Sequence, residues 1–455
     1  MKELQEIYQD FAKLEGKEIS IIGRVRSNRQ GKNVCFMVIN DGTSFDDLQV
    51  VYKEGIDGFE DGTKSRVASI VEITGTLLLT PTKGQPFELS AHKIELLDQA
   101  VESYPLQKKE HSPEFLREIA HLRARTKTFN AVYKIRSELA FAIHKYFNDR
   151  GFIYAQTPII TGNDAEGAGE AFTVTTRGDD KYEKDFFGKQ STLTVSGQLH
   201  AEAFAQAFKK VYTFGPTFRA ENSNTSKHAA EFWMIEPEVA FSDLQDNIVL
   251  IESLIKYTVN YVFEKCDAEF KFLDANLEAG LIDKIKNLVE SKFKTTSYSE
   301  AIKLLQNAVK NGHQFEENKI AFGLDLATEH ERYICEVINQ APTFVIDYPK
   351  DIKAFYMKLN DDHQTVAAVD LLVPGIGELV GGSEREGDYD KLIKRCEEMG
   401  IDPSSLDWYL NLRKYGYFKS AGFGLGFERL LMYITGVANI RDVLLYPRTP
   451  NNLLF

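Results

Sequence analysis

Arg219-Ala-Glu221 and, one polar loop later, Glu231-Phe-Trp-Met-Ile-Glu-Pro-Glu238 constrain this chain more than any other stretch. The pattern predicts two strands joined by that loop, which also carries His228. Side chains alternate across a strand, so Phe232, Met234, Glu236 and Glu238 fall on one face of the second strand. Arg219 and Glu221 share a face of the first by the same rule. A sheet that gathers a cation, carboxylates and an aromatic ring on one side needs something charged and flat to lie there. A nucleoside triphosphate fits: arginine for phosphate, phenylalanine for the base, glutamate for amine groups.

The length of 455 residues predicts two or three domains, and 43% hydrophobic content is enough for real cores. No apolar run is long enough to span a membrane, and the N-terminal residues lack the apolar core of a secretory signal, so a cytoplasmic location is expected. Cys35, Cys266, Cys335 and Cys396 are far apart and form no metal-binding spacing; free thiols are expected. The net charge of -13 argues weakly against nucleic acid, but local strips run the other way. Ile19 to Asn40 contains no acid and carries Arg24, Arg26, Arg29 and Lys32. Gln107 to Arg136 holds eight Lys or Arg against three Glu. Either strip is a solvated face or a seat for a polyanion.

Short β-rich runs at 20–25, 34–39, 48–52, 69–74 and 93–97 alternate with Gly, Asn and Asp turns. Five strands in so short a span predict an OB-type barrel over residues 1–103, with an oligonucleotide-binding face near Phe36. Residues 104–130 read as a linker with Pro105 and Pro113, and 131–455 as a second domain. In it, Val132, Ile135, Leu139, Ile143 and Phe147 recur at helical spacing. Phe152–Ile160 reads as an edge strand carrying Pro158, where a subunit interface would cover it. Leu199 to Phe208 is helical, and 243–345 is mostly helical, either an insertion or a small domain. Strands resume at 354–359, 365–373 and 378–381.

Three clusters add chemistry. Gly422-Phe-Gly424-Leu-Gly426 precedes a helix, and its alternate glycines let another backbone or a ligand come close. Arg429 in the first turn of that helix opposes the dipole unless it meets a carboxylate or a phosphate. Asp370 lies within an apolar run and needs a partner, either a neighbouring cation or Mg²⁺ bridged to phosphates. Ser196-Gly197-Gln198 opens a helix, where Ser is a common cap, and Glu166 to Glu170 is a glycine-spaced turn with two acids.

Taken together these segments resemble the class II aminoacyl-tRNA synthetases, in their aspartyl/asparaginyl/lysyl subgroup and there the asparaginyl branch. Gly151-Phe-Ile-Tyr-Ala-Gln-Thr-Pro158 is similar to the family's first motif, Phe218 to Glu238 to its second, and Gly424-Leu-Gly-Phe-Glu-Arg429 to its third. The resemblance implies an α+β protein: an N-terminal OB-type β-barrel that binds the anticodon, followed by a class II synthetase antiparallel sheet flanked by helices. It implies an ATP site of Arg219, Glu221, His228, Phe232, Glu378 and Arg429, with Arg219 and Arg429 catalytic. It implies Mg²⁺ at Asp370 and Glu378, and anticodon contacts at Phe36 and Gln49. Glu166, Ser196 and Gln198 would hold the α-ammonium of the amino acid, with Glu236 and Arg385 beside its side chain. The aspartyl branch carries a Lys where this chain has Ala201, so an uncharged amide is the expected substrate side chain, with Arg385 donating and Glu236 accepting. Glu236 serves either that amide or the α-ammonium.

The expected activity is asparagine–tRNA ligation with L-asparagine, ATP, Mg²⁺ and tRNA(Asn), by a homodimer joined around Pro158. An aspartyl or Asp/Asn non-discriminating synthetase is the nearer alternative, and a non-catalytic tRNA-binding paralogue the more distant one.

Overall fold

A computed structural model describes residues 1–82, 84–163 and 171–455. The chain falls into two compact units, Met1–Ala131 and Val132–Phe455.

In the first unit, strands β1 (Glu18–Arg29), β2 (Cys35–Asn40), β3 (Leu48–Tyr52), β4 (Ile70–Leu79) and β5 (Phe87–Asp98) close a barrel in the order β1-β2-β3-β5-β4. Alternation decides which way each strand faces: Ile19, Ile21, Met37, Ile39, Val50, Ile73 and Leu89 point inward and are buried. The helix Leu4–Leu14 adds Leu4, Ile7 and Leu14 to that core. The last two strands run well beyond their expected ends. Register shifts at Ile70/Val71 and Thr74/Gly75 interrupt the simple alternation by which a strand is read.

The second unit is built on an eight-stranded sheet. Its members are β6 (Ile153–Tyr154), β10 (Lys210–Phe218), β11 (Glu231–Ala240), β12 (Lys294–Ser297), β13 (Thr343–Pro349), β14 (Thr365–Val373), β15 (Gly377–Glu384) and β16 (Ser420–Gly426), in the order β12-β13-β14-β15-β16-β11-β10-β6. All neighbours pair antiparallel except β10 with β6 and β12 with β13, which close the two edges in parallel. The helices Gln198–Phe208, Leu244–Lys265 and Phe427–Thr435 pack on this sheet. A three-stranded sheet of β7 (Ile160–Thr161), β8 (Thr173–Val174) and β9 (Ser191–Leu193) stands apart from it.

Two local expectations are corrected, and one left open is decided. The single strand expected over 152–160 divides: Ile153–Tyr154 joins the main sheet, Ile160–Thr161 the small one, and the stretch with Pro158 pairs with neither. Pro158 has no N–H to give a ladder. The strand expected at 354–359 is a turn with isolated bridges from Met357 to Arg385 and Leu359 to Val366. Its apolar side chains are held by packing instead, Phe355 being fully buried against Tyr409. The 243–345 region is continuous with the second unit: β12 extends the main sheet, and only the helices around it are peripheral to the ladder.

Candidate active site

β10 ends at Phe218, so Arg219 and Glu221 lie just past the strand rather than on it. The Arg219 N–H donates to Ala230 O at 3.0 Å, which closes the loop between β10 and β11. Phe232 and Met234 then emerge from β11 beside them, and the Arg219 guanidinium lies 5.4 Å from the centre of the Phe232 ring. A cavity opens here, lined by Arg219, Glu221, His228, Phe232, Met234, Glu378, Gly424, Gly426 and Arg429. All six residues expected at an ATP site are thus brought together.

The glycines of β16 make this floor possible. A Cβ on Gly422 would stand 2.2 Å from Glu238 Oε1, and one on Gly424 2.7 Å from Met234 Cε. Both therefore make room for side chains of the neighbouring β11.

The cavity's charges are in tension. Arg429 donates to Glu378 Oε2 at 3.4 Å and to its carbonyl at 3.3 Å. Burial, and then Arg429, push the His228 imidazole and the Lys227 ammonium below their usual ranges. Lys227 is a lining residue that the sequence did not single out. A triphosphate would relieve this repulsion among cations. On the other side burial, and then Glu378, push the Glu331 carboxyl up to about 7. The Glu331 carboxylate accepts the Glu378 N–H at 3.0 Å.

Asp370 has the neighbouring cation its burial demands: Lys353 Nζ donates to it at 2.6 Å. It nevertheless faces Glu378. A Cβ on Gly381 would lie 3.0 Å from Glu378 Oε1 and 3.3 Å from Asp370 Oδ1. Among the described residues no three His, Cys, Asp or Glu side chains form a complete metal cage. Two carboxylates are the donor set expected of Mg²⁺, which takes one or two protein oxygens together with phosphates. The residues fit the ion on that ground.

The residues expected around the amino acid form a second, deeper cluster. Glu236 accepts from the Gly197 N–H and from Thr213 Oγ1, each at 2.9 Å, and from the Ser196 hydroxyl. It thereby anchors the Ser196-Gly197-Gln198 turn. Arg385 grips Glu238, the other acid on that face: Nε donates at 3.1 Å and Nη2 makes a second bond, while Nη1 donates to Ser383 Oγ at 2.7 Å. Burial pushes the Glu238 carboxyl up to about 7 against the pull of Arg385. The sequence put Glu238 on this face but gave it no partner. Glu166 lies outside the described residues.

On the barrel, Phe36 is 41% exposed and Gln49 half-buried. Val38 pairs with Gln49 and Phe36 with Val51, so Phe36 and Gln49 share the outer face of β2 and β3. Gln49 Nε2 donates to Glu88 at 3.2 Å. The basic residues Arg24, Arg26, Arg125 and Lys127 line a separate cavity of the same unit.

A family model described as tRNA synthetases class II (D, K and N) matches residues 112–450, and one described as an OB-fold nucleic acid binding domain matches residues 19–97. The asparagine–tRNA ligase of Mycoplasma mycoides subsp. mycoides is 68% identical over 453 residues, covering 100% of both chains. That of Alkaliphilus oremlandii is 52% identical over 462 residues, covering 99% of both. The crystal structure of asparaginyl-tRNA synthetase from Pyrococcus horikoshii complexed with asparaginyl-adenylate superposes with a TM-score of 0.88 at 34% identity, covering 99% of both chains. No helix among the described residues is long and apolar enough to cross a membrane.

Proposed function

This chain belongs to the class II tRNA synthetases of the D, K and N group, and on that premise we infer that it is an ATP-dependent ligase joining asparagine to tRNA. The observation that carries the reading is the single cavity holding Arg219, Glu221, His228, Phe232, Glu378 and Arg429. Phe232 offers a face for adenine and Glu221 an acceptor for its amine, while Arg219, His228 and Arg429 surround the phosphates.

The asparagine carboxylate attacks the α-phosphorus, a new P–O bond forms, and pyrophosphate leaves with the electron pair of the broken bond. A ribose hydroxyl of the terminal adenosine of tRNA then attacks the activated carbonyl and releases AMP. No side chain needs to become a nucleophile. Rate comes from holding two anions together and neutralising the charge that builds on the phosphorus oxygens, the work we assign to Arg219 and Arg429. Asp370 and Glu378 are the residues we assign to Mg²⁺, which when bound supplies further neutralisation of the phosphates.

For the amino acid, we assign the α-ammonium to Ser196, Gln198 and Glu166, with Glu236 beside them. Arg385 then donates to the side-chain carbonyl. The Glu238–Arg385 pair is internally neutral, so the excess negative charge of Glu236 favours a substrate without a second carboxylate. Phe36 and Gln49 we assign to the anticodon, within a barrel at 1–103, a linker at 104–130 and a catalytic domain at 131–455. Ile153, Tyr154, Ile159 and Ile160 are each more than 40% exposed around Pro158, which supports a homodimer through that segment. The site of action we propose is the cytoplasm.

ATP–pyrophosphate exchange with each of the twenty amino acids tests the reading. Exchange is expected with asparagine. Exchange as fast with aspartate would overturn the substrate, and exchange with none would overturn the enzyme.

A further inference from the structure

Gln198 opens the helix Gln198–Phe208 and is only 4% exposed. The two ends of its amide meet different fates. Nε2 donates to Glu202 Oε2 at 2.7 Å, one helical turn on. Oε1 is buried and has no hydrogen-bond partner among the described residues. A buried acceptor left unpaired costs roughly 1–3 kcal/mol. Such an atom is explained if its donor arrives with the substrate.

Glu202 is fully buried and held on every side. It accepts from Arg413 Nη2, from Tyr409 OH at 2.6 Å and from Tyr417 OH at 2.9 Å. A carboxylate paired with an arginine has no proton to give, so it can satisfy only the NH₂ end of a neighbouring amide. Were residue 202 an amide itself, the Gln198 side chain could pair with it either way round.

We propose that Glu202, clamped by Arg413, Tyr409 and Tyr417, is a positioning residue that fixes the Gln198 amide with its oxygen turned to the amino-acid pocket, where it accepts from the α-ammonium of asparagine. This rests on the asparagine-activating reading above. The Gln198 backbone N–H donates to Ser196 Oγ at 3.1 Å, and Ser196 in turn bonds Glu236, which anchors the backbone of Gln198 beside that pocket. The charge of Glu202 also reaches both Glu238 and Arg385. The ammonium is the substrate's one full cation, and no other part of it answers an isolated carbonyl oxygen so well.

The test is calorimetric binding of asparagine and of succinamic acid, which is asparagine without its α-amino group. Glu202→Gln should bind asparagine about tenfold more weakly, the equivalent of ~1.4 kcal/mol, and succinamic acid and ATP as the parent does. Gln198→Leu should show the same selective loss, and adding Glu202→Gln to it should change little more. Glu202→Asp keeps the charge that Arg413 needs but draws the acceptor back from Nε2. It should show the selective loss too, and it replaces Glu202→Gln if that variant melts early. Equal weakening of both ligands in a folded variant, or no loss for asparagine, overturns the proposal. Absence of exchange by the unmodified enzyme would sink the assigned activity instead, while calorimetry would still report on Gln198.

Discussion

Arg385 and Glu238 are 147 residues apart in sequence and share two hydrogen bonds in the protein's interior. Removing one partner of a buried pair strands the other, at roughly 3–5 kcal/mol. Arg385→Ala should therefore lower Tm as well as raise the asparagine requirement steeply. Arg385→Lys retains the charge without the planar fork, so it should hold Tm better yet still lose asparagine. Exchange with an unchanged asparagine KM in Arg385→Ala would remove Arg385 from the pocket. Phe36→Ala makes the opposite kind of prediction. Base stacking contributes about 1–3 kcal/mol per base, so tRNA charging should weaken while exchange stays level. An equal fall in both assays would contradict a separate anticodon role. At this scale alternation along β11 placed Phe232, Met234, Glu236 and Glu238 on one face. It could not say that Arg385 would come to Glu238 and the Ser196 turn to Glu236, because those contacts cross the sheet.

The elements differ in how plainly they were written. The helix Lys127–Asp149 shows an apolar stripe at helical spacing, and stripes of that kind need no tertiary information. The 354–359 segment has apolar residues at strand-like spacing, but its backbone finds no continuous partner, and its side chains divide between two clusters, Phe355 and Tyr356 with Leu392 and Tyr409, Met357 and Leu359 with Tyr348 and Val366. β16 offers a sharper test. A methyl group at Gly422 meets the fixed carboxylate of Glu238, whereas at Gly424 it meets the flexible end of Met234. Gly422→Ala should lose roughly 1–3 kcal/mol of stability together with asparagine binding, and Gly424→Ala less, since Met side chains adapt. Thermal melts of the two variants check this; the reverse order would mean that strain at β16 does not set the pocket.

For the whole molecule two outcomes are expected. Chelation of Mg²⁺ should abolish exchange and added Mg²⁺ restore it without a change in the melting curve of the free protein, since Asp370 already has Lys353 as a structural partner. Exchange that survives chelation would release Asp370 and Glu378 from the metal role. Ile159→Asp places a charge in the exposed apolar segment around Pro158 and should move the sedimentation coefficient toward that of a single chain. An unmoved coefficient would place the interface elsewhere.

By itself the sequence determined the barrel, the paired strands around the polar loop, and the residue types that an adenylate-forming site requires. These follow from periodicity and from the few chemistries that suit each side chain, both local properties. Only the tertiary structure decided that Arg219 and Glu221 sit beyond their strand, that Asp370 pairs with Lys353, and that Glu202 and Arg413 lock behind Gln198. The first depends on the Arg219 N–H turning to Ala230 O; the other two depend on which segments close over a buried charge, and a charge withdrawn from water takes whatever partner the packing delivers.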